Sequence, residues 1–254
     1  MLLAIDIGNT NTVFGLFRGA ELVHSWRLHT DRTRTADEWA LAVHGLFAMA
    51  GLEPGEVDGT VIVSVVPPVL PAIEALCRRY FKCESLVIGA ETQTGMPVHY
   101  DNPKDVGADR IVNAVAAYDR KRQSLIVVDC GTATTFDVVS SIGEYLGGAI
   151  APGLGISAEA LSQRASKLPR VEISAPPAVI ATNTVHSMQS GLFFGYVGLV
   201  DGIIARMDEE LSDRPYVLAT GGLAGVIAPC SRYINEVAPD LTLEGLRIIF
   251  ERNR

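Results

Sequence analysis

Residues 3–13 read LAIDIGNTNTV and residues 126–136 read IVVDCGTATTF, so the chain carries one pattern twice. A constant step of 123 residues sets Asp6 on Asp129, Gly8 on Gly131 and Thr12 on Thr135. The same step sets Glu21 on Glu144, each after a turn that holds a glycine, Gly19 or Gly143. A duplication on this scale, in a chain of 254 residues, points to two tandem units of about 120 residues each. Each copy follows the same order. A continuous apolar run (residues 2–5 and 125–128) reads as a buried strand with an aspartate at its end. A turn of glycine and threonine follows, then a second β-rich run (12–17 and 134–139), a tight turn and a third strand (21–28 and 144–150).

The rest of each half supplies helices and further strands. Thr35-Ala36-Asp37-Glu38 is a capping box that opens an amphipathic helix to about residue 50. Residues 60–66 form a buried strand stopped by Pro67-Pro68, followed by a helix to about residue 80 and a short strand at 85–88. Residues 106–122 are helical, with Ile111, Ala114, Val115 and Tyr118 on one face, and carry the chain from one half to the other. The expected domains are therefore 1–120 and 121–254. In the second, residues 187–211 read as one long helix, 216–219 as a strand, and Thr220-Gly221-Gly222 as a turn into short helical pieces. Sheet-plus-helix halves in tandem, each with an acidic hairpin, suggest an α/β protein with a ligand cleft between the halves.

Composition narrows the function classes. With 48% hydrophobic and 20% charged residues, the chain buries a core and is not disordered. Net charge is −8, and the densest basic stretches are Arg78-Arg79 and Arg120-Lys121-Arg122, so no nucleic-acid partner is expected. Cys77, Cys83, Cys130 and Cys230 form no CxxC pair, and the histidines complete no zinc spacing. Reduced thiols, an aspartate at position 6 and no run near the ~20 apolar residues of a membrane span give a cytoplasmic expectation, with no membrane partner.

Four motifs could carry chemistry. In Asp6-Ile7-Gly8-Asn9-Thr10-Asn11-Thr12-Val13, glycine lets backbone approach a phosphate, turn amides and Asn/Thr side chains donate, and the aspartate faces a cation such as hydrated magnesium. A plain β-hairpin turn is the alternative, and repetition weakens it. The second copy, Asp129 to Asp137 with Thr132 in its turn, makes the pair read as a phosphate clamp. Gly147-Gly148 and Pro152-Gly153 suit phosphate approach at a helix start, or merely connect strand to helix. Gly107-Ala108-Asp109-Arg110, after Tyr100, reads either as a solvated Asp–Arg pair or as a base beside a substrate-fixing guanidinium. Thr220-Gly221-Gly222 could let an adenine ring lie on bare backbone. Asn183-Thr184 resembles a helix N-cap.

Taken together, DIGNT at 6–10, Tyr100, GADR at 107–110, DCGTATTFD at 129–137, GGAIAPG at 147–153 and ATNT at 181–184 resemble the type III pantothenate kinases over nearly the whole chain. The resemblance implies two tandem actin-like (ribonuclease H-like) domains, each a mixed β-sheet flanked by helices, as in acetate kinases, heat-shock chaperone ATPases and sugar kinases. It implies ATP-dependent phosphorylation of pantothenate to 4'-phosphopantothenate, the first step of coenzyme A synthesis, by a homodimer using Mg2+ and a monovalent cation, K+ or NH4+. Carried over by position, Asp6, Ile7, Gly8, Asn9, Thr10, Asn11, Thr12 and Val13 form the ATP phosphate loop and Thr132 contacts ATP. Asp109 is the proton acceptor. Tyr100, Gly107, Ala108, Asp109, Arg110 and Thr184 contact pantothenate. Asp129 binds the monovalent cation, and Asp6 holds magnesium through water. The alternatives are another phosphotransferase or phosphohydrolase of the superfamily, or a non-enzymatic transcription accessory factor. The triad Asp6, Asp109 and Asp129 argues against the last.

Overall fold

The computed structural model describes all residues from Met1 to Arg254. Its first sheet contains β1 (Leu2–Ile7), β2 (Asn11–Arg18), β3 (Glu21–His29), β4 (Gly59–Ser64) and β5 (Ser85–Val87). The order is β3-β2-β1-β4-β5, antiparallel through the first three strands and parallel from β1 outward to β5. Its second sheet contains β6 (Leu125–Cys130), β7 (Ala133–Val139), β8 (Tyr145–Pro152), β9 (Tyr216–Thr220) and β10 (Glu236–Val237). Read from its β8 edge, the order is β8-β7-β6-β9-β10 with the same strand senses, so the two sheets share one topology. Even an irregularity repeats: the register shifts between Leu16 and Phe17 in one meander and between Val138 and Val139 in the other.

The helices are α1 (Ala36–Met49), α2 (Leu70–Leu76), α3 (Ala108–Lys121), α4 (Leu154–Arg164), α5 (Thr184–Glu210), α6 (Ala224–Ile227) and α7 (Leu241–Arg252). Helix α1 starts where the capping box requires: Thr35 Oγ1 accepts the Glu38 amide at 3.3 Å and Glu38 Oε2 accepts the Thr35 amide at 2.7 Å. In α5, Asn183 Oδ1 accepts the His186 amide at 2.9 Å, so Asn183 is the N-cap and the helix begins three residues before the expected 187.

The chain forms two compact units: one of Met1–Met96, Asp101–Ala116 and Thr242–Arg254, the other of Pro97–Tyr100 and Ala117–Leu241. The first unit's core joins Leu3, Ile5 and Phe14 of the sheet to Trp39 and Phe47 of α1 and Ile73 of α2. The second joins Ile126, Val128 and Phe136 to Phe193, Val200 and Ile204 of α5. Burying such side chains is worth about 1.5–3 kcal/mol each before conformational entropy opposes it.

Three sequence expectations change. Instead of short helical pieces, the C-terminus ends in α7, a helix of 12 residues that groups with the first unit. Strand glycines make room for it: a Cβ at Gly15 would stand 2.7 Å from Leu243, and one at Gly59 2.6 Å from the Phe250 ring. Gly245 likewise lets α7 meet the backbone of α3, since its Cβ would lie 2.2 Å from the Val112 carbonyl oxygen. Second, α5 is long and apolar enough by length and composition to cross a membrane, where no such segment was expected. Here it is a core helix, with Phe193, Tyr196, Val197, Val200 and Ile204 packed into the second core. Third, Gly147 and Gly148 do not connect strand to helix: they lie inside β8, as the expected strand over 144–150 has them, and Gly153 alone leads into α4.

Candidate active site

In the first unit, β1 carries Asp6 one residue before its end, and Gly8, Asn9 and Thr10 turn the chain into β2. The turn is tight because Gly8 donates its amide to the Asn11 carbonyl at 3.0 Å, and a Cβ on Gly8 would stand only 3.0 Å from that oxygen. Thr30, just past β3, ties the turn down: its amide donates to the Thr10 carbonyl at 3.0 Å and its hydroxyl to the Gly8 carbonyl at 2.7 Å. Thr12 and Thr30 hydroxyls lie 3.0 Å apart and both are buried.

The second unit repeats this with one residue fewer. In the first hairpin Ile7 pairs with Thr12; in the second Cys130 pairs with Thr134. The step is therefore 123 in β1/β6, 122 in β2/β7, where Thr12 matches Thr134 and Phe14 matches Phe136, and 123 again in β3/β8. The expected match of Thr12 to Thr135 is corrected, while Asp6 to Asp129 and Glu21 to Glu144 stand. Burial follows the corrected register: Thr12 and Thr134 are both fully buried, whereas Thr135 faces the buried carboxylate of Asp137 and donates to it at 3.0 Å. Tyr145 also donates to Asp137, at 2.7 Å.

The shorter turn changes what can stand beside it. The counterpart of Thr30 is Gly153, whose amide donates to the Thr132 carbonyl at 3.1 Å. A Cβ at Gly153 would lie 2.3 Å from the Thr132 oxygen and 2.4 Å from the Gly131 oxygen, so no side chain fits. Gly153 then begins α4 directly. Asp129 is half-buried beside Gly221, whose φ of +89° and whose missing Cβ, 2.4 Å from Asp129 Oδ1, both require glycine. Thr134 bonds the hydroxyl of Tyr196, which α5 delivers to the hairpin. Burial pushes the Tyr196 phenol up and, together with the Asp129 charge, raises the Cys130 thiol to about 12, so Cys130 is an inert thiol here.

Asp109 stands in the first turn of α3. Its Oδ1 accepts the Arg110 amide at 2.9 Å, and a Cβ at Gly107 would be 2.6 Å from that same oxygen, so glycine before Ala108 lets the carboxylate fold back onto the helix start. Burial raises the Asp109 pKa above the usual carboxylate range, against the opposing pull of the Arg110 amide and guanidinium. Arg110 is only 6% exposed, so the solvated-pair alternative does not hold. Tyr100 belongs to the second unit. Residues 97–99 pair alongside Tyr145, with Tyr145 donating to the Pro97 carbonyl at 2.9 Å and His99 donating to the Tyr145 carbonyl at 2.8 Å. The Tyr100 ring then lies over Gly147, within 3.8 Å of where a Cβ would be. Thr184 opens α5 and lines a cavity of about 410 Å³ with Leu161, Leu168, Ser187, Met188, Gly191 and Leu192.

Thus the first unit holds Asp6 to Val13 and residues 107–110, and the second holds Tyr100, Asp129, Thr132 and Thr184. Each turn follows one carboxylate, set among Asn, Thr and backbone oxygens in the first hairpin and among Thr and backbone oxygens in the second, and no group of three or more metal-ligating side chains forms. Such a donor set fits a hydrated magnesium shared with substrate phosphates, not an all-protein cage. Sequence reasoning missed Thr30, which sits outside every motif, and Tyr196, whose place in an apolar helix signals only packing.

Comparison with known proteins agrees with this architecture. The family model for type III pantothenate kinase matches residues 2–206. A type III pantothenate kinase of Pelobacter propionicus is 59% identical over 254 residues, covering 100% of both chains. Among solved structures, a conserved candidate Baf family transcriptional activator of Campylobacter jejuni aligns with a TM-score of 0.61 at 18% identity, over 99% of this chain and 98% of that one. An inorganic polyphosphate/ATP-glucomannokinase of an Arthrobacter strain aligns with a TM-score of 0.51 at 15% identity, over 100% and 99%. At such identities the structures speak to the fold alone, which is that of actin-like ATPases and sugar kinases.

Proposed function

This chain belongs to the type III pantothenate kinase family and phosphorylates pantothenate with ATP in coenzyme A biosynthesis, and we propose that Asp109 is the group that takes the proton from the pantothenate hydroxyl. The observation that carries this role is the half-buried carboxylate at the start of α3, beside the buried Arg110, fixed between Gly107 and the Arg110 amide with a raised pKa. Phosphoryl transfer passes through a loose transition state, so catalysis is positioning and charge stabilisation. Asp109 orients the primary hydroxyl and accepts its proton as transfer proceeds. Arg110 steadies polar groups of the substrate, with Tyr100, Gly107, Ala108 and Thr184 as further contacts. Residues 6–13 cradle the ATP phosphates through turn amides, and Thr132 contacts ATP. Asp6 would hold a divalent metal through water and Asp129 would hold K+ or NH4+, and these ions would supply charge neutralisation for the phosphates. The copies of the duplication are taken as 1–120 and 121–254, the working assembly as a homodimer and the compartment as the cytoplasm. Light scattering reads the dimer directly, and a monomeric mass would contradict it.

Asp109→Asn tests the base. It keeps the size and the bond from the Arg110 amide but cannot accept the proton, so kcat should fall roughly 10²–10⁴-fold with ATP binding unchanged. Folding places this carboxylate where its charge is disfavoured, so the melting temperature should hold or rise. In the parent enzyme, kcat should decline as pH falls through the raised Asp109 pKa, because the protonated acid cannot serve as base. A folded variant with kcat within a few-fold of the parent would remove Asp109 from catalysis.

A further inference from the structure

Thr30 stands outside every motif, yet three of its bonds converge on the first turn. Its hydroxyl is 2.7 Å from the Gly8 carbonyl and 3.0 Å from the Thr12 hydroxyl, and its amide is 3.0 Å from the Thr10 carbonyl. A carbonyl can only accept, so the single Thr30 hydroxyl proton goes to Gly8. The Thr12 hydroxyl must then be the donor to Thr30. The result is a directed chain, Thr12 to Thr30 to Gly8, in a site where Thr12 and Thr30 are both buried.

This chain fixes more than the carbonyls. In a planar trans peptide the N–H points opposite to the C=O of the same unit. With the Gly8 carbonyl turned onto Thr30, the Asn9 amide points away from it. With the Thr10 carbonyl turned onto the Thr30 amide, the Asn11 amide also points away. Two turn amides are thereby aimed to one side, as donors for an anion must be. We propose that Thr30 is a positioning residue for the nucleotide, which holds the Asn9 and Asn11 amides at the angle that receives the ATP phosphates. This role rests on the assignment of residues 6–13 as the phosphate loop.

The test is steady-state kinetics on the full chain with Thr30→Val, Thr30→Ala, Thr30→Ser and, as a control for the loop itself, Asp6→Asn. Thr30→Val and Thr30→Ala should raise KM for ATP about tenfold, the worth of one buried hydrogen bond, and leave KM for pantothenate unchanged. Thr30→Ser, which restores the hydroxyl, should return KM for ATP to within about threefold of the parent. Thr30→Ala adds no methyl against the Gly8 carbonyl, so it carries the reading should Thr30→Val not fold. A structural role alone predicts a lower melting temperature with an ordinary KM for ATP, and that result overturns the proposal. So does Thr30→Ser behaving like Thr30→Val. Asp6→Asn separates the two assignments. If it impairs ATP use while Thr30→Ala does not, Thr30 has no positioning role and the phosphate loop stands. If Asp6→Asn handles ATP normally, the phosphate loop itself is wrong.

Discussion

At the residue after the third strand, the first half carries Thr30 and the second carries Gly153. Everything around these two positions is shared: strand order, strand sense, the register shift in the second strand and an aspartate near the end of the first. The difference comes from one residue of turn. The longer turn leaves space for a threonine side chain that bonds Gly8, whereas the shorter turn brings the Gly131 and Thr132 carbonyls onto Gly153 and excludes any side chain. The buried threonine of the second strand then finds different partners: Thr12 bonds Thr30 of its own meander, but Thr134 bonds Tyr196 of α5. One hairpin is tied within its sheet and the other to a helix. A duplicated frame can thus hold two aspartates alike and still give them different neighbours, which is what two distinct cations would require.

Copying one half onto the other should break this comparison most severely at Gly153. Its φ of −68° suits any residue, so the obstacle is space alone. Gly153→Ala sets a Cβ against two backbone oxygens that cannot step aside like side-chain ends. It should cost about 3 kcal/mol, at the upper end of overpacking, and lower activity as the Thr132 turn is displaced. Chemical denaturation and kcat report both. Stability within about 0.5 kcal/mol of the parent would mean that the second turn yields easily.

A smaller effect is expected where the second hairpin meets α5. Tyr196→Phe keeps the ring in the core and removes the hydroxyl bonded to Thr134, leaving a buried threonine without that partner. The loss should be about 1–2 kcal/mol by denaturant midpoint, with KM for ATP less affected than by Thr30→Ala, since the Gly131 and Thr132 backbone is untouched. A change in KM for ATP as large as that of Thr30→Ala would erase the distinction between the two ties.

Much of this frame is legible in sequence. Apolar strands ending in Asp, with Gly and Thr after them, specify each meander, and Thr35 with Glu38 specifies the start of α1. The slipped register is not legible, because Thr134 and Thr135 are adjacent and either satisfies a match to Thr12; only strand pairing separates them. The placement of α7 is equally hidden, since it depends on contacts from Leu243 and Phe250 to strands far away in the chain. A signal existed in Gly15 and Gly59, glycines inside strands, which mark close approach by another element. The Asp109 motif could be read as a surface ion pair until burial of Arg110 decided otherwise. Nothing local announces that burial.

The claim that the two aspartates serve different cations is tested most directly by titrating potassium into a pantothenate-dependent ADP-release assay, at saturating magnesium and ATP, with the parent enzyme and Asp129→Asn. The parent should be slow in sodium alone and speed up as potassium or ammonium is added, while Asp129→Asn should stay slow at every potassium concentration. Equal parent rates in sodium, potassium and ammonium, or an Asp129→Asn enzyme that responds to potassium as the parent does, would contradict the assignment.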